Sequence, residues 1–436
     1  MESEGKGIRH MDIGLAVLIF LSFFLLFFYV PLAFAIGLST LCYMLIQGAP
    51  LIIIPQQLYK GADNFVLLAL PLFILAGNLM NTGGITKRII KLAQAMVGHI
   101  RGGLALVNIM ASMFFAGVSG SAVADTASMG TVLIPSMKKE GYDAGFAAAV
   151  TASSATIGVI IPPSIPMVVH GFVSNTSIGD LFLAGIIPGI LVGMFQMAVA
   201  YTISVRRNYP KEDHFSAARL WTTFKQSWLA LILPVIIITF ITFGIATPTE
   251  VGSIAVIYAL IVGIFVYREL QLKDIIRILN ESVKTTALIM IIVAFSMIMG
   301  WALSQQRVPQ AITAAVITVI DSPQIALLLI SGILIVAGCF LHGSPLQLII
   351  VPMFLPLVTS LGIDMLHFGI VVVLCVGIGQ QTPPVGSALF VTSMLAERDI
   401  LEVTRENLPF ILTIIAVLII VIFFPKVSLF LPMLMA

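Results

Sequence analysis

The chain has 436 residues, of which 59% are hydrophobic and only 10% charged, and its mean hydropathy is +1.11. Soluble domains carry about 25% charged residues, so a water-facing surface around this chain is excluded and lipid must cover most of it. A net charge of +2 implies no nucleic acid or other polyanionic partner, and Cys42, Cys339 and Cys375 form neither a CxxC nor a metal spacing, so they are expected to be small core residues.

Residues 1–12 are polar and lack a small-residue cleavage site, so the first apolar run is expected to be retained as a span. No charged residue lies between Asp12 and Lys60, a length that predicts two helices with a tight turn near Pro31. A third span is predicted from about Phe65 to Met80. Asn81 to Arg101 carries four basic residues and no acid. Its apolar residues Ile85, Ile89, Ile90, Leu92 and Met96 predict an amphipathic helix in the interface. Gly102 to Pro135 is apolar but interrupted at 117–121, which predicts a re-entrant hairpin. Ala144 to Phe172 is broken by Ile161-Pro-Pro-Ser-Ile-Pro166, because each proline removes a donor and clashes with the preceding turn. Leu181 to Val205 is an ordinary span, and Arg206 to Gln226 a basic loop.

The second half runs through the same events. Trp228 to Phe265 predicts two spans around Thr247-Pro-Thr-Glu250. Arg268 to Lys284 is polar, and Thr285 to Leu303 spans. Ile325 to Leu357 breaks at 338–345, Phe368 to Leu395 breaks at Gln380-Gln-Thr-Pro-Pro384, and Phe410 to Phe424 is the last span. A gapless shift of 221 residues superposes Gly117 on Gly338, Pro135 on Pro356, Gly158 on Gly379, Pro162-Pro163 on Pro383-Pro384, and Pro188 on Pro409. Five crossings per half, an odd number, invert the second half. The expected fold is therefore an all-α integral membrane protein of two inverted-topology repeats, each with transmembrane helices, a re-entrant hairpin and a broken helix. Its parts are a periplasmic segment 1–12, a first repeat 13–205, a cytoplasmic linker 206–226 and a second repeat 227–436. With both termini periplasmic, seventeen of the 22 Lys and Arg residues fall in cytoplasmic segments, as the positive-inside rule requires.

Backbone freed at a helix break cannot stay unpaired in lipid. Half-helix N-termini attract anions, and unwound carbonyls coordinate cations. The Na⁺ candidates are Ser119, Ser121, Gly158 and Pro162 in the first half, and Gly338, Gly379 and Thr382 in the second, since hydroxyls and carbonyls are hard oxygen ligands. The solute candidates are Asp125, Ser164, His342 and Ser344. Alternative structural roles stay open: proline kinks satisfied by neighbouring helices, and Asp125 or His342 as caps of the half-helices they adjoin. Glu250 is expected to be an edge cap, and His170 a structural hydrogen-bonder. HExxH, GxGxxG, Walker and nucleophile-elbow motifs are absent, so no catalysis and no cofactor beyond a coupling ion are expected.

The run Met80-Asn-Thr-Gly-Gly-Ile-Thr86, the tip Gly117-Val-Ser-Gly-Ser-Ala-Val-Ala-Asp125, the two double prolines and Thr247-Pro-Thr-Glu250 resemble the large membrane subunit of tripartite ATP-independent periplasmic (TRAP) transporters, from about Ile13 to the end. The resemblance implies a Na⁺-coupled, elevator-type transporter of carboxylates in the bacterial inner membrane, working with a small four-helix membrane subunit and a periplasmic solute-binding protein. No small-subunit sequence is expected to be fused to it. His342 stands where that family would lead one to expect an acidic residue. A stand-alone carboxylate transporter of related fold is the alternative, separable by a neighbouring gene for a secreted binding protein. A membrane enzyme should show a catalytic cluster at the membrane edge, and a channel a polar stripe along continuous helices.

Overall fold

Double prolines mark the two broken helices of this chain. The structure is a computed structural model that describes residues 13–28, 30–211 and 214–435, without the side chains of 117–119. The predicted segment 1–12 lies outside the described residues.

In the first half α1 (Ile13–Phe27) and α2 (Leu32–Gln47) flank the predicted turn, with Pro31 at the N-cap of α2. Then come α3 (Ile53–Ala62), α4 (Ala69–Thr82) and α5 (Ile85–Val97). Next are a helical hairpin of α6 (Gly103–Ser119) and α7 (Ala122–Lys139), a broken helix made of α8 (Ala144–Ala155) and α9 (Ile165–Ser174), and α10 (Ile178–Arg206). The second half has α11 (Ala217–Thr242), α12 (Pro248–Ile261), α13 (Leu272–Gln305) and α14 (Val308–Ile317). A second hairpin follows, α15 (Pro323–Gly338) and α16 (Gly343–Ser360). A second broken helix, α17 (Met365–Gly379) and α18 (Ser387–Ala396), leads to α19 (Ile400–Phe423) and α20 (Lys426–Met435). Ala122 and Gly343 open the second arms of the two hairpins, and Ala144 and Met365 open the two broken helices; each pair is 221 positions apart. The cis bonds Pro162-Pro163 and Pro383-Pro384 have the same offset.

Among the described residues, seven helical segments are long and apolar enough to cross a membrane: Phe65–Thr82, Ile178–Arg206, Ala217–Thr242, Pro248–Val266, Leu272–Gln305, Gly343–Ser360 and Ile400–Phe423. One of them, α16, was expected to be a re-entrant arm. The main core joins both halves through fully buried Phe146, Phe182, Phe368 and Phe410. A second cluster packs Leu18, Ile36 and Met44 of α1 and α2 on Ile298, Met299 and Leu303 of α13.

Several expectations need correction. The stretch to Lys60 holds three helices, not two. Gly48, in the left-handed region at φ 64, ends α2, and α3 then packs against α13, where Gly61 meets Ala294 and Met297. The stretch 206–226 is not a loop throughout, and the polar stretch 268–284 is helical from Leu272. α11 begins at Ala217, capped by the Ser216 hydroxyl, and α13 begins at Leu272 behind a Gln271/Asp274 capping box. Charge says where a chain leaves lipid, not where its helix starts. The apolar face of α5 is covered by protein instead of lipid: Ile85, Ile89, Ile90 and Leu92 are buried, and all but Leu92 lie in the main core. Glu250 does form the expected cap, reciprocally with Thr247.

One ion-pair cluster ties the halves on the polar side of α5. Arg88 Nη1 donates to Glu269 Oε1 at 2.7 Å and to the Gly84 carbonyl at 2.8 Å. Its guanidinium also lies 3.6 Å from the centre of the Tyr267 ring. The Ser227 hydroxyl donates to the Arg88 carbonyl at 3.0 Å. Charge-assisted hydrogen bonds of half-buried groups contribute about 1–3 kcal/mol each. Arg88→Met is therefore expected to lower the thermal midpoint in detergent by a few degrees. Lys87→Met removes a side chain that is 72% exposed and 3.7 Å from the same carboxylate, and should leave the midpoint almost unchanged. An unchanged midpoint in Arg88→Met would show that Arg88 holds nothing.

Candidate functional site

Each hairpin tip rests on the break of its own half. Gly120 adopts φ +63 at the first tip, and a β-carbon there would stand 2.7 Å from the Pro163 carbonyl oxygen. The chain can make this turn against the broken helix only with glycine. Ile165 N–H donates to the Gly120 carbonyl at 3.3 Å. In the second half, Val385 N–H donates to the Cys339 carbonyl at 3.0 Å, and Gly338 and Gly379 meet backbone to backbone. Buried amides and hydroxyls hold the first hairpin in place: Asn108 Nδ2 donates to Thr151 Oγ1 at 2.6 Å, Ser154 Oγ to Asn108 Oδ1 at 3.0 Å, and Ser112 Oγ to Ser154 Oγ at 3.0 Å.

Between the two tips lies a cavity of about 450 Å³. The first tip contributes Gly120 to Ala124, the first break Val159, Ile165 and Pro166, the second tip His342, Ser344 and Pro345, and the second break Gln380. The opposite wall is α4, with Asn78 and Asn81, and α13, with Thr285. Among the described residues no Asp, Glu, Lys or Arg lines it. Three helices begin at its wall, α7, α9 and α16, and their N-terminal N–H groups give it a positive character without a fixed charge.

The candidates of the sequence divide into three groups. Ser121, His342 and Ser344 line the cavity. Ser121 also caps α7, its Oγ accepting from Ala124 N–H at 3.5 Å. His342 occupies the N-cap of α16 without a side-chain capping bond, so the cap alternative is not what its side chain does. Gly158, Gly338 and Gly379 lie behind the tips. Asp125 is fully buried beside Gly158, where a β-carbon would collide with Asp125 Oδ2; it faces the first break and not the cavity. Pro162 forms the first cis bond of the break. The other hydroxyls are used locally. Ser164 Oγ donates to the Val159 carbonyl at 2.5 Å and accepts from Met167 N–H, and Thr382 Oγ1 donates to the Ile378 carbonyl at 2.7 Å. The Ser119 side chain lies outside the described residues. His170 is buried edge-on against Phe368, with ring centres 5.7 Å apart.

Sequence reasoning passed over Asn78, Asn81 and Thr285, and placed Gln380 in the second break without singling out its side chain. Two amides three residues apart in an otherwise apolar span were the available signal for the first pair. Asn78 Nδ2 donates to Ser282 Oγ at 2.9 Å, and Asn81 Oδ1 accepts from Thr86 Oγ1 at 2.9 Å, so both amides are held in fixed orientations beside the cavity.

A family model described as the tripartite ATP-independent periplasmic transporter DctM component matches residues 18–427. The sialic acid TRAP transporter large permease SiaM of Vibrio cholerae is 41% identical over 94% of this chain and 96% of its own length. The C4-dicarboxylate TRAP transporter large permease DctM of Pseudomonas aeruginosa is 39% identical over 86% and 88%. The 2,3-diketo-L-gulonate TRAP transporter large permease YiaN of Escherichia coli is 37% identical over 90% and 94%. The fold is similar to that of the Alcanivorax borkumensis YdaH transporter, with a TM-score of 0.62, 14% identity, and 85% and 86% of the two chains covered.

The close backbone contact behind the second tip generates a test. A β-carbon at Gly379 would stand 2.8 Å from the Gly338 backbone, whereas one at Gly300 in α13 meets nothing within 4 Å. Gly379→Ala is expected to lower thermal stability and abolish transport. Gly300→Ala should be neutral or stabilising, since alanine favours a helix by about 1 kcal/mol over glycine. Full activity of Gly379→Ala would rule out a rigid glycine contact at the second tip.

Proposed function

The chain belongs to the DctM component family of tripartite ATP-independent periplasmic transporters, and from that premise we propose that it moves an organic acid across the bacterial inner membrane by Na⁺ coupling. It is a multi-pass membrane transporter subunit, not an enzyme. The observation that carries the proposal is a cavity framed by both hairpin tips and both broken helices. Helix N-termini there suit a carboxylate, and the similar permeases are named for sialic acid, C4-dicarboxylates and 2,3-diketo-L-gulonate, all of them acids.

In this account the carboxylate meets the N-termini of α7 and α16 near Ser121, Ser344 and His342. Na⁺ sits behind the tips, among the carbonyls around Gly158 and Pro162 in one half and around Gly338, Gly379 and Thr382 in the other, with Ser119 and Asp125 beside the first site. Ion binding closes each tip on its broken helix and completes the anion site, so the solute binds well only when Na⁺ is present. The two halves are inverted repeats, and the hairpins with their broken helices move as an elevator against a scaffold containing α4 and α13. A periplasmic binding protein delivers the solute, and a small membrane subunit braces the scaffold. Both termini are periplasmic, with 206–226 cytoplasmic.

Reconstitution tests this directly. Uptake into liposomes is expected to require external Na⁺, the binding protein and the small subunit together. Undiminished uptake without Na⁺ would reject the coupling, and equal uptake without binding protein would favour a stand-alone transporter. Ser121→Ala, which removes a hydroxyl and a cap, should raise half-saturating Na⁺ or solute about tenfold; unchanged half-saturation for both would remove Ser121 from the site. His342→Gln should flatten the dependence of uptake on acid pH while preserving expression. A wild-type profile in that variant would take His342 out of solute binding.

A further inference from the structure

The two broken helices come from opposite halves of the chain, yet one side chain joins them. Gln381, in the second break, is fully buried, and its Nε2 donates to Thr156 Oγ1 in the first break at 3.3 Å. Thr156, also fully buried, donates in turn to the Ser153 carbonyl at 2.6 Å. Gln381 is held from behind by Asn407 of α19, whose Nδ2 donates to the Gln381 carbonyl at 3.3 Å and to its Oε1 at 3.1 Å. α17 packs on the first break at Gly377, where a β-carbon would make ordinary contact, 3.7 Å from Thr156 Cβ and 3.8 Å from Val159 Cγ2. The bridge therefore lies two residues from Gly158 on one side and two residues from Gly379 on the other.

We propose that the Gln381–Thr156 hydrogen bond couples the two broken helices, so that ordering either break orders the other. An amide buried among apolar helices loses a partner it cannot replace with water when the opposing break moves. Either break can loosen alone only by giving up this bond between the halves, which leaves Gln381 Nε2 with the Gly377 carbonyl of its own helix at 3.4 Å and Thr156 with the Ser153 carbonyl. Neither residue lines the cavity; both are positioning residues. If ions bind at the two breaks, as the proposed function holds, the bridge makes their binding cooperative.

The test uses the full chain in nanodiscs, with hydrogen exchange read at both breaks. Thr156→Val keeps the volume and removes the hydroxyl, and it is expected to speed exchange in 378–386, in the other half of the chain. Gln381→Leu should speed exchange in 156–164. Thr156→Ser, which retains the hydroxyl, should restore wild-type protection in both. In the reconstituted system Thr156→Val is expected to raise half-saturating Na⁺ about five- to tenfold, the range one net hydrogen bond of coupling carries, and to lower the Hill coefficient towards one. Exchange effects confined to the mutated half, or a Thr156→Ser variant as loose as Thr156→Val, would overturn the proposal. Exchange transmitted between the breaks in a protein whose uptake ignores Na⁺ would leave the bridge standing and remove the sodium coupling instead.

Discussion

A peptide group that leaves the helical ladder inside a membrane must find another partner, and this requirement organises the molecule. Four segments break their helices here, and each hairpin tip satisfies backbone on the broken helix of its own half. The Gly120 and Cys339 carbonyls accept from Ile165 and Val385. The glycines at these contacts are there because backbone meets backbone: Gly338 against Gly379, and Gly120 against the Pro163 carbonyl. A side chain at any of them would separate a tip from its break and expose polar backbone that lipid cannot solvate.

The same requirement explains how the cavity wall gains polarity with so little charge. Helix ends that stop in mid-structure present N–H and C=O groups, and such groups can ligate anions and cations. The cavity wall thus acquires polarity from backbone and from Ser121, Ser344, Asn78 and Gln380 without any Lys or Arg among its described residues. A permanently cationic site would hold a carboxylate with or without a coupling ion. Under the proposed function, a site of helix ends whose geometry depends on how the tips sit makes affinity conditional, as the proposed coupling requires. The remaining ion pairs lie elsewhere, as in Arg88 with Glu269 and Arg207 with Glu406 at 2.9 Å. The Glu406 carboxylate holds the Arg207 guanidinium still more firmly protonated than an ordinary arginine.

Much of this was legible in the sequence because proline and glycine act locally. The double prolines, the glycine-rich tips and the 221-residue offset mark the breaks without any knowledge of packing. Helix ends outside lipid were less legible. The polar residues from Ala217 and from Leu272 are helical because capping residues start the helices early, while hydropathy responds only to the apolar part. The shared cavity was not legible, because Asn78, Asn81 and Thr285 reach it only through the packing of α4 and α13 against the tips. Ser164 and Thr382 show a further limit. A hydroxyl at a helix break serves equally well as a local cap or as an ion ligand, and in this structure both bond to nearby carbonyls.

The central claim is that solute and ions bind where the four interruptions converge. A high-resolution map of the protein in nanodiscs, with Na⁺ and a transported acid, tests it most directly. The account predicts the carboxylate between the N-termini of α7 and α16, near Ser121 and Ser344, and spherical density behind each tip, near Gly158 and between Gly338 and Gly379. Solute density outside this cavity, or tips closed over an empty cavity with no ion behind them, would contradict it.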